Sequence, residues 1–180
     1  MSEKCEQTIR LAAINDIPSI MEVINDAKAL FRSQGSVQWQ DDDGYPNENT
    51  IQNDINLNQL YVSLINNQIV GTIVITKVED PWYKDITGGK WSSNEPYYTI
   101  HRIAVRKGFY GQHIAYNLVE YAKKLAKENK YASIRADTME ENKSMRGLLL
   151  KCGFAHCGEV ILGRGGSTDP RRLAFDILIQ

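Results

Sequence analysis

The stretch Tyr97 to Ala126, YYTIHRIAVRKGFYGQHIAYNLVEYAKKLA, decides the fold. Its first part, Tyr98 to Val105, is short and rich in β-branched and aromatic residues, which predicts a strand. Arg106 to Tyr110 is a turn broken by Gly108. After Gly111 the period changes: Ile114, Ala115, Leu118, Val119, Ala122, Leu125 and Ala126 recur at spacings of three and four, which predicts a helix. The order is strand, tight turn, long helix. The first turn of a helix carries backbone N–H groups with no partner inside the helix, and the helix dipole adds positive potential there. Such an end suits a phosphate or pyrophosphate. Gly111 and Ala115 are small, so an anion could approach the backbone. A strand–turn–helix unit with nothing bound has the same local pattern.

A second stretch narrows the choice. Ser133 to Thr138 (SIRADT) reads as a strand and Asn142 to Gly153 (NKSMRGLLLKCG) as a helix, followed by Phe154 and another strand. With Ile103-Ala104-Val105, with Tyr110-Gly111-Gln112-His113-Ile114-Ala115, and with Asn142, Met145, Lys151, Gly153 and Phe154, the chain resembles the GNAT family of acetyl-CoA-dependent N-acetyltransferases. The first group falls where that family has its splayed fourth strand. The second falls at its pyrophosphate loop, (Gln/Arg)-x-x-Gly-x-(Gly/Ala), and the third on its second motif. Three positions depart from the pattern. Tyr110 replaces Gln or Arg, His113 replaces the central Gly, and Leu149 stands where many members have a Tyr thought to protonate the leaving thiolate.

Length and composition agree with one domain over residues 1–180. The chain is 42% hydrophobic and 24% charged, ordinary values for a globular protein. A net charge of −1 gives no basic field for nucleic acid. The start, MSEKCEQT, has no apolar h-region, and no apolar run approaches the ~20 residues that span a bilayer. A cytoplasmic protein with no membrane partner is the expectation. Cys5, Cys152 and Cys157 are too few and odd in number for a disulfide framework. Cys152, His156 and Cys157 match no zinc spacing, so no metal is expected.

Along the chain, Thr8 to Ala13 predicts a strand. A helix capped by Asn15 or Asp16 follows, with Pro18 in its first turn and Ile20, Val23, Ile24, Ala27 and Phe31 as its apolar face. Ser36 to Asn49 is a loop, and Asn49 or Thr50 caps a short helix to about Leu57. Strands at Leu60 to Ile65 and Ile69 to Val78 are joined by an Asn66-Asn67 turn. An excursion, Asp80 to Pro96, leads into the organising strand. The last strands are about Ala155 to Leu162 and Arg172 to Ile179, linked by the glycine-rich Gly163 to Arg171, a hairpin loop and not a phosphate loop. The fold class is α/β: a mixed, mostly antiparallel GNAT-like sheet with a splayed central strand pair and helices on both faces. The C-terminal strand, read as exposed, could pair two subunits into a homodimer.

The resemblance implies acetyl-CoA as cofactor. Its pyrophosphate would lie on the backbone of Gly111, Gln112, His113, Ile114, Ala115 and Tyr116. Its pantetheine would run beside Ile103, Ala104 and Val105, near Asn142, a residue that reads equally as a helix N-cap. Arg106 and Lys107 are within reach of CoA phosphates or simply solvated. The Val105 N–H is the oxyanion donor the family suggests. For the base, His101 is favoured, because it lies two residues before Ile103 and so shares its face, and because an unperturbed imidazole has a pKa of about 6.5. Glu95, Asp137 or a water chain compete with it. With Leu149 unable to serve as acid, Tyr98, Tyr116 or solvent remain. The loop that holds the consecutive acids Asp41, Asp42 and Asp43 is the candidate for holding a small-molecule or peptide amine, with Trp39, Asp43 and Tyr45 as its binding residues, carboxylate attracting the charge and rings the alkyl part. A charged surface turn reads the same way. The expected reaction is acetyl transfer to a primary amine by direct attack in a ternary complex. The alternative is a non-catalytic acyl-CoA-binding or regulatory module of the same fold. A Rossmann-type nucleotide-binding domain does not fit, because the chain lacks the Gly-x-Gly-x-x-Gly and the strand-first β-α-β start of that fold.

Overall fold

In the computed structural model, which describes residues 6–163 and 170–180, the chain builds one seven-stranded sheet. The strands are β1 (Thr8–Leu11), β2 (Leu60–Ile65), β3 (Gln68–Thr76), β4 (Tyr97–Val105), β5 (Ser133–Thr138), β6 (Ala155–Ile161) and β7 (Arg171–Leu178), in the spatial order β1-β2-β3-β4-β5-β7-β6. All neighbours are antiparallel except β4 and β5. The helices are α1 (Ile17–Ser33), α2 (Glu48–Asn56), α3 (Ile114–Glu128) and α4 (Lys143–Lys151). Among the described residues no helix is long and apolar enough to cross a membrane. The glycine-rich link falls mostly at 164–169, and Cys5 at 5; both lie outside the described residues.

The helical period becomes two buried stripes on opposite faces. On one, Ile20, Val23, Ile24 and Ala27 of α1 and Ile51 and Ile55 of α2 pack on Val62, Val74 and Ala104. On the other, Ile114, Leu118, Val119, Ala122 and Ala126 of α3 and Leu149 of α4 pack on Ile73, Ile100, Ile134 and Phe175. Each fully buried aliphatic side chain contributes about 1.5–3 kcal/mol. The cap of α2 is Asn47, not Asn49 or Thr50. Its Oδ1 accepts the Thr50 N–H at 3.0 Å while Thr50 Oγ1 accepts the Asn47 N–H at 3.3 Å. The reciprocal bonds of that capping box start the helix at the earlier residue. Asn66 and Asn67 both adopt left-handed φ, 49° and 62°, as a two-residue hairpin turn requires.

The C-terminal strand is not a free edge. β7 lies between β5 and β6, so it cannot pair two subunits. The edge strand β6 is partly covered by the excursion before β4: Thr87 and Glu159 exchange backbone bonds of 2.9 and 2.8 Å. Covering an edge in this way blocks pairing with another chain.

The sheet is interrupted at one place that matters. Val74 is opposite His101 and Thr72 opposite Ala104, so β4 carries one extra residue there. This is a β-bulge. Arg102 takes φ 50° inside it. Its guanidinium holds that conformation: Nε and Nη2 donate to the two Asp54 oxygens at 2.8 and 2.7 Å, and Nη1 donates to Tyr45 Oη at 2.8 Å. The Asp54 side chain is 3% exposed and that of Arg102 10%. Removing one member of such a pair strands the other charge. Asp54→Ala should therefore cost about 3–5 kcal/mol in chemical denaturation, whereas Glu128→Ala, which breaks the exposed Lys124–Glu128 pair, should cost nothing measurable.

Candidate functional site

β4 and β5 pair only over Tyr97–Thr99 and Ser133–Arg135. Beyond that β5 stays with β7 up to Thr138, and the two central strands part. The Arg106 N–H donates to Val70 O at 2.8 Å. The next pair inward, Val105 and Gly71, is therefore a non-hydrogen-bonded one, and the Val105 amide turns away from β3 toward the space β5 has left. A cleft of about 670 Å³ occupies that gap, lined by Ile103, Ala104 and Val105 of β4 and by Asp137 and Thr138 of β5.

The loop to α3 closes one end of the cleft. Gly108, Gly111 and His113 take φ of 92°, 76° and 61°. A Cβ on Gly111 would meet open space, so the glycine is needed for its left-handed φ and not, as its size suggested, for room. The same geometry accounts for His113: the position is left-handed, which is why a glycine suits it, and a non-glycine residue there costs about 1–2 kcal/mol. His113 is the N-cap of α3 and makes no side-chain capping bond. The first bond into the helix is Asn117 N–H to His113 O, 2.9 Å. The amides of Ile114, Ala115 and Tyr116 thus have no acceptor within the helix. Gly111, His113, Ile114, Ala115 and Tyr116 all line the cleft. Gln112 instead faces an adjoining hollow, with Nε2 donating to Gly108 O at 3.3 Å. Arg106 pairs with Glu22, and the Lys107 N–H donates to Asp26 at 2.8 Å.

α4 forms the facing wall. Asn142 is its N-cap, with Oδ1 accepting the Met145 N–H at 3.0 Å. Its Nδ2 donates to Gln38 Oε1 at 2.8 Å, which ties the α1–α2 loop to the cleft. Leu149 is fully buried in the core, and Leu148 lines the cleft in its stead.

At the other end the residues sort differently from the strand's simple alternation. Ile100 and Ile103 both pack toward α3, three residues apart, because the bulge inserts a residue between them. His101 is consequently on the opposite face from Ile103, with its ring 6.5 Å from that of Tyr83. It still reaches the cleft, as does Asp137. Asp137 Oδ2 accepts a 2.7 Å bond from the Tyr83 hydroxyl, and Arg172 Nε is 3.9 Å from Oδ1. Burial, reinforced by the Asp137 charge, pushes the Tyr83 phenol well above its ordinary range. Tyr83 therefore stays a donor to Asp137. Tyr98 stacks on Tyr131 at 4.0 Å and does not line the cleft. Glu95 is exposed outside it.

The loop between α1 and α2 contributes Gln38, Trp39, Asp41 and Tyr45 to the lining. Trp39 is left-handed, φ 57°, with its ring edge-on to Phe31 at 5.4 Å. Of the three consecutive aspartates, Asp43 is exposed and caps its own turn, accepting the Tyr45 N–H at 2.9 Å. It does not line the cleft. Asp41 does, and nothing in a run of identical residues marks which one turns inward.

Neither described cysteine is a poised nucleophile. Cys152 is buried, and burial pushes its thiol up. Cys157 is pushed up to about 12 by burial and by its bond to Asp176, 3.0 Å away. Among the described residues no group of three or more His, Cys, Asp or Glu side chains is placed to hold a metal.

Residues 22–154 match the family model described as the acetyltransferase (GNAT) family. A GNAT-family acetyltransferase structure from Streptococcus agalactiae is 33% identical, with 97% of this chain and 96% of that one covered and a TM-score of 0.86. One from Listeria monocytogenes is 22% identical over 99% and 98%, TM-score 0.71. PaiA N-acetyltransferase from Thermoplasma acidophilum, solved in complex with coenzyme A, is 14% identical over 96% and 99%, TM-score 0.71. No curated protein sequence matches. The parted strands, the left-handed loop at a helix N-terminus and the matched family model lead to one conclusion: the chain belongs to the GNAT family of acetyltransferases, with acetyl-CoA as its cofactor.

Proposed function

We propose that this acetyltransferase moves the acetyl group to a primary amine by direct attack within a ternary complex. The observation that carries the reading is the Val105 amide, turned into the cleft with no strand beside it, in a cleft whose one end is closed by the amides of α3. Acetyl-CoA, when bound, supplies the acetyl thioester. The α3 amides from Ile114 to Tyr116 and the loop at Gly111 would hold its phosphates. Ile103 to Val105 offer an unpaired strand edge to an extended chain, with Asn142 opposite.

Three tasks remain for side chains and backbone. The acceptor ammonium loses a proton, and His101 is the base proposed for it, with Asp137 as its competitor. The N–C bond forms, and the Val105 N–H donates to the carbonyl oxygen as negative charge grows there. The C–S bond then breaks, and the sulfur takes a proton. Tyr116 is the proposed donor: of the two tyrosines considered, it is the one that lines the cleft. Raised thiols at Cys152 and Cys157 support attack without an acyl-cysteine step. The buried Leu149 favours a second reading, an acyl-CoA-binding module without turnover, and release of free CoA thiol separates the two.

Acetyl-CoA at 100 times its dissociation constant should stabilise the fold by ~2.7 kcal/mol, read as an upward shift in Tm. Gly111→Asp, which places a carboxylate in the loop on a backbone that favours glycine, should abolish the shift; no shift in the wild type would count against the cofactor placement. With a competent amine, His101→Ala and Tyr116→Phe should each lower kcat by about 10²-fold or more. Equal rates in wild type and variant would remove that residue from the mechanism. Cys157 should be alkylated by iodoacetamide at pH 8 at least about a hundredfold more slowly than a free cysteine, followed by peptide mass mapping.

A further inference from the structure

The acceptor end of the cleft contains an unsatisfied group. Asp41 Oδ1 is buried and has no hydrogen-bond partner among the described residues. Buried polar atoms are nearly always bonded, and a buried acceptor left without a donor is costly. Among the described residues, the cations of this region are engaged elsewhere, Arg32 Nε donating to Gln40 Oε1 at 3.0 Å. Arg102, in the lining, has its Nε, Nη1 and Nη2 committed to Asp54 and Tyr45. Lys28, from α1, reaches over the loop to Gly44 O. Arg172 sits beside Asp137.

The charge balance points the same way. Among the described residues the lining holds three carboxylates, Asp41, Asp80 and Asp137, and three cations, Arg102, Arg172 and Lys151. Of these cations, Arg102 is already neutralised by Asp54, which is not in the lining. With Arg102 balanced, the three carboxylates outnumber Arg172 and Lys151, so the described lining is net anionic, and Trp39, Tyr45 and Phe31 give it aromatic walls. Trp39 holds a left-handed backbone that a bulky residue rarely adopts, a strain that collects at binding sites. An anionic, ring-walled recess with one carboxylate oxygen lacking a donor matches an alkylammonium group.

We infer that the acceptor carries two positive charges, as an α,ω-diamine or longer polyamine does, and that Asp41 binds the ammonium that does not react. The inference rests on the amine acetyltransferase reading and deepens it. One ammonium is deprotonated and acetylated beside Val105; the other stays charged, donates to Asp41 and is held against the rings. A monoamine of equal length fills the same space and leaves Asp41 without its donor.

The test compares kcat/KM for a series of α,ω-diaminoalkanes with n-alkylamines of equal length, read by CoA thiol release. The wild type should prefer the diamine by about tenfold or more at its best chain length. Asp41→Asn, nearly the same shape without the charge, should erase that preference, and exposed Asp42→Asn should keep it. If Asp41→Asn does not fold in a melting scan, Asp41→Ser gives the same reading. Equal rates for mono- and diamines in the wild type, or a preference that survives in the Asp41 variant, overturn this inference and leave the amine reading standing. Thiol release with no amine of either series overturns both.

Discussion

The ion pair between Arg102 and Asp54 holds the feature on which the rest of the site depends. It joins the central strand to α2 and keeps a non-glycine residue at φ 50° inside the sheet. Left-handed backbone in a strand costs about 1–3 kcal/mol and persists only when its surroundings over-determine it. Two bonds to a buried carboxylate and a third to Tyr45 do so. The resulting bulge lies just past the last residue that β4 shares with β5. A bulge bends its strand and increases its twist, and here the bend coincides with the parting of the two central strands. The cleft, the free Val105 amide and the placement of His101 on the face opposite Ile103 all follow from that one inserted residue.

The two ends of the cleft use different physics. At the α3 end the groups are backbone amides, made available by a loop with three left-handed residues and by the start of a helix. Side-chain identity matters little there, and a histidine can occupy a position that favours glycine at a modest conformational cost. At the other end, the proposed acceptor end, the groups are side chains on separate elements: the α1–α2 loop, β4, β5 and β7. Their placement depends on the buried support beneath them. Arg135 lies between the rings of Trp91 and Tyr97, 4.4 and 3.7 Å away, and Trp91 Nε1 donates to Tyr83 O at 2.8 Å. Asp176 accepts bonds from the Ser92 N–H and hydroxyl. Through these contacts the long excursion before β4 is pinned to β5 and β7, and Tyr83 is brought under Asp137. A binding function that tolerates variation sits on the backbone; a chemical function that needs orientation sits on packed side chains.

Periodicity and turn chemistry made most of the architecture legible. Strands β2 and β5 begin and end where their β-branched runs do, and α1 and α3 bury most of the apolar positions that recur at three and four, Phe31 and Ala115 lining the cleft instead. The Asn66-Asn67 turn is left-handed at both residues. Asn142, Met145 and Lys151 reach the cleft, as do Tyr110, Gly111 and His113 of the loop before α3, whereas Gln112 faces the adjoining hollow. What escaped was of another kind. The cap of α2 fell at Asn47 because a reciprocal bond with Thr50 outweighs the local preference of Asn49. The C-terminal strand, apparently an edge, is interior because β6 folds back outside it. Asp43 looked as suitable as Asp41, since a run of three aspartates carries no information about which one turns inward.

The sequence by itself determined the element order, the two buried helix faces and the phosphate-favouring helix start, because those depend on residues within a few positions of one another. Only the tertiary structure decided the bulge, the opposite facing of His101 and Ile103, the Tyr83–Asp137 bond between residues 54 apart, and which aspartate lines the cleft. Each of these depends on the register between distant strands and on which buried group finds a partner. Side chains alternate with a period of two along a strand, so one inserted residue reverses every facing beyond it. No local pattern of β-branched residues records that insertion.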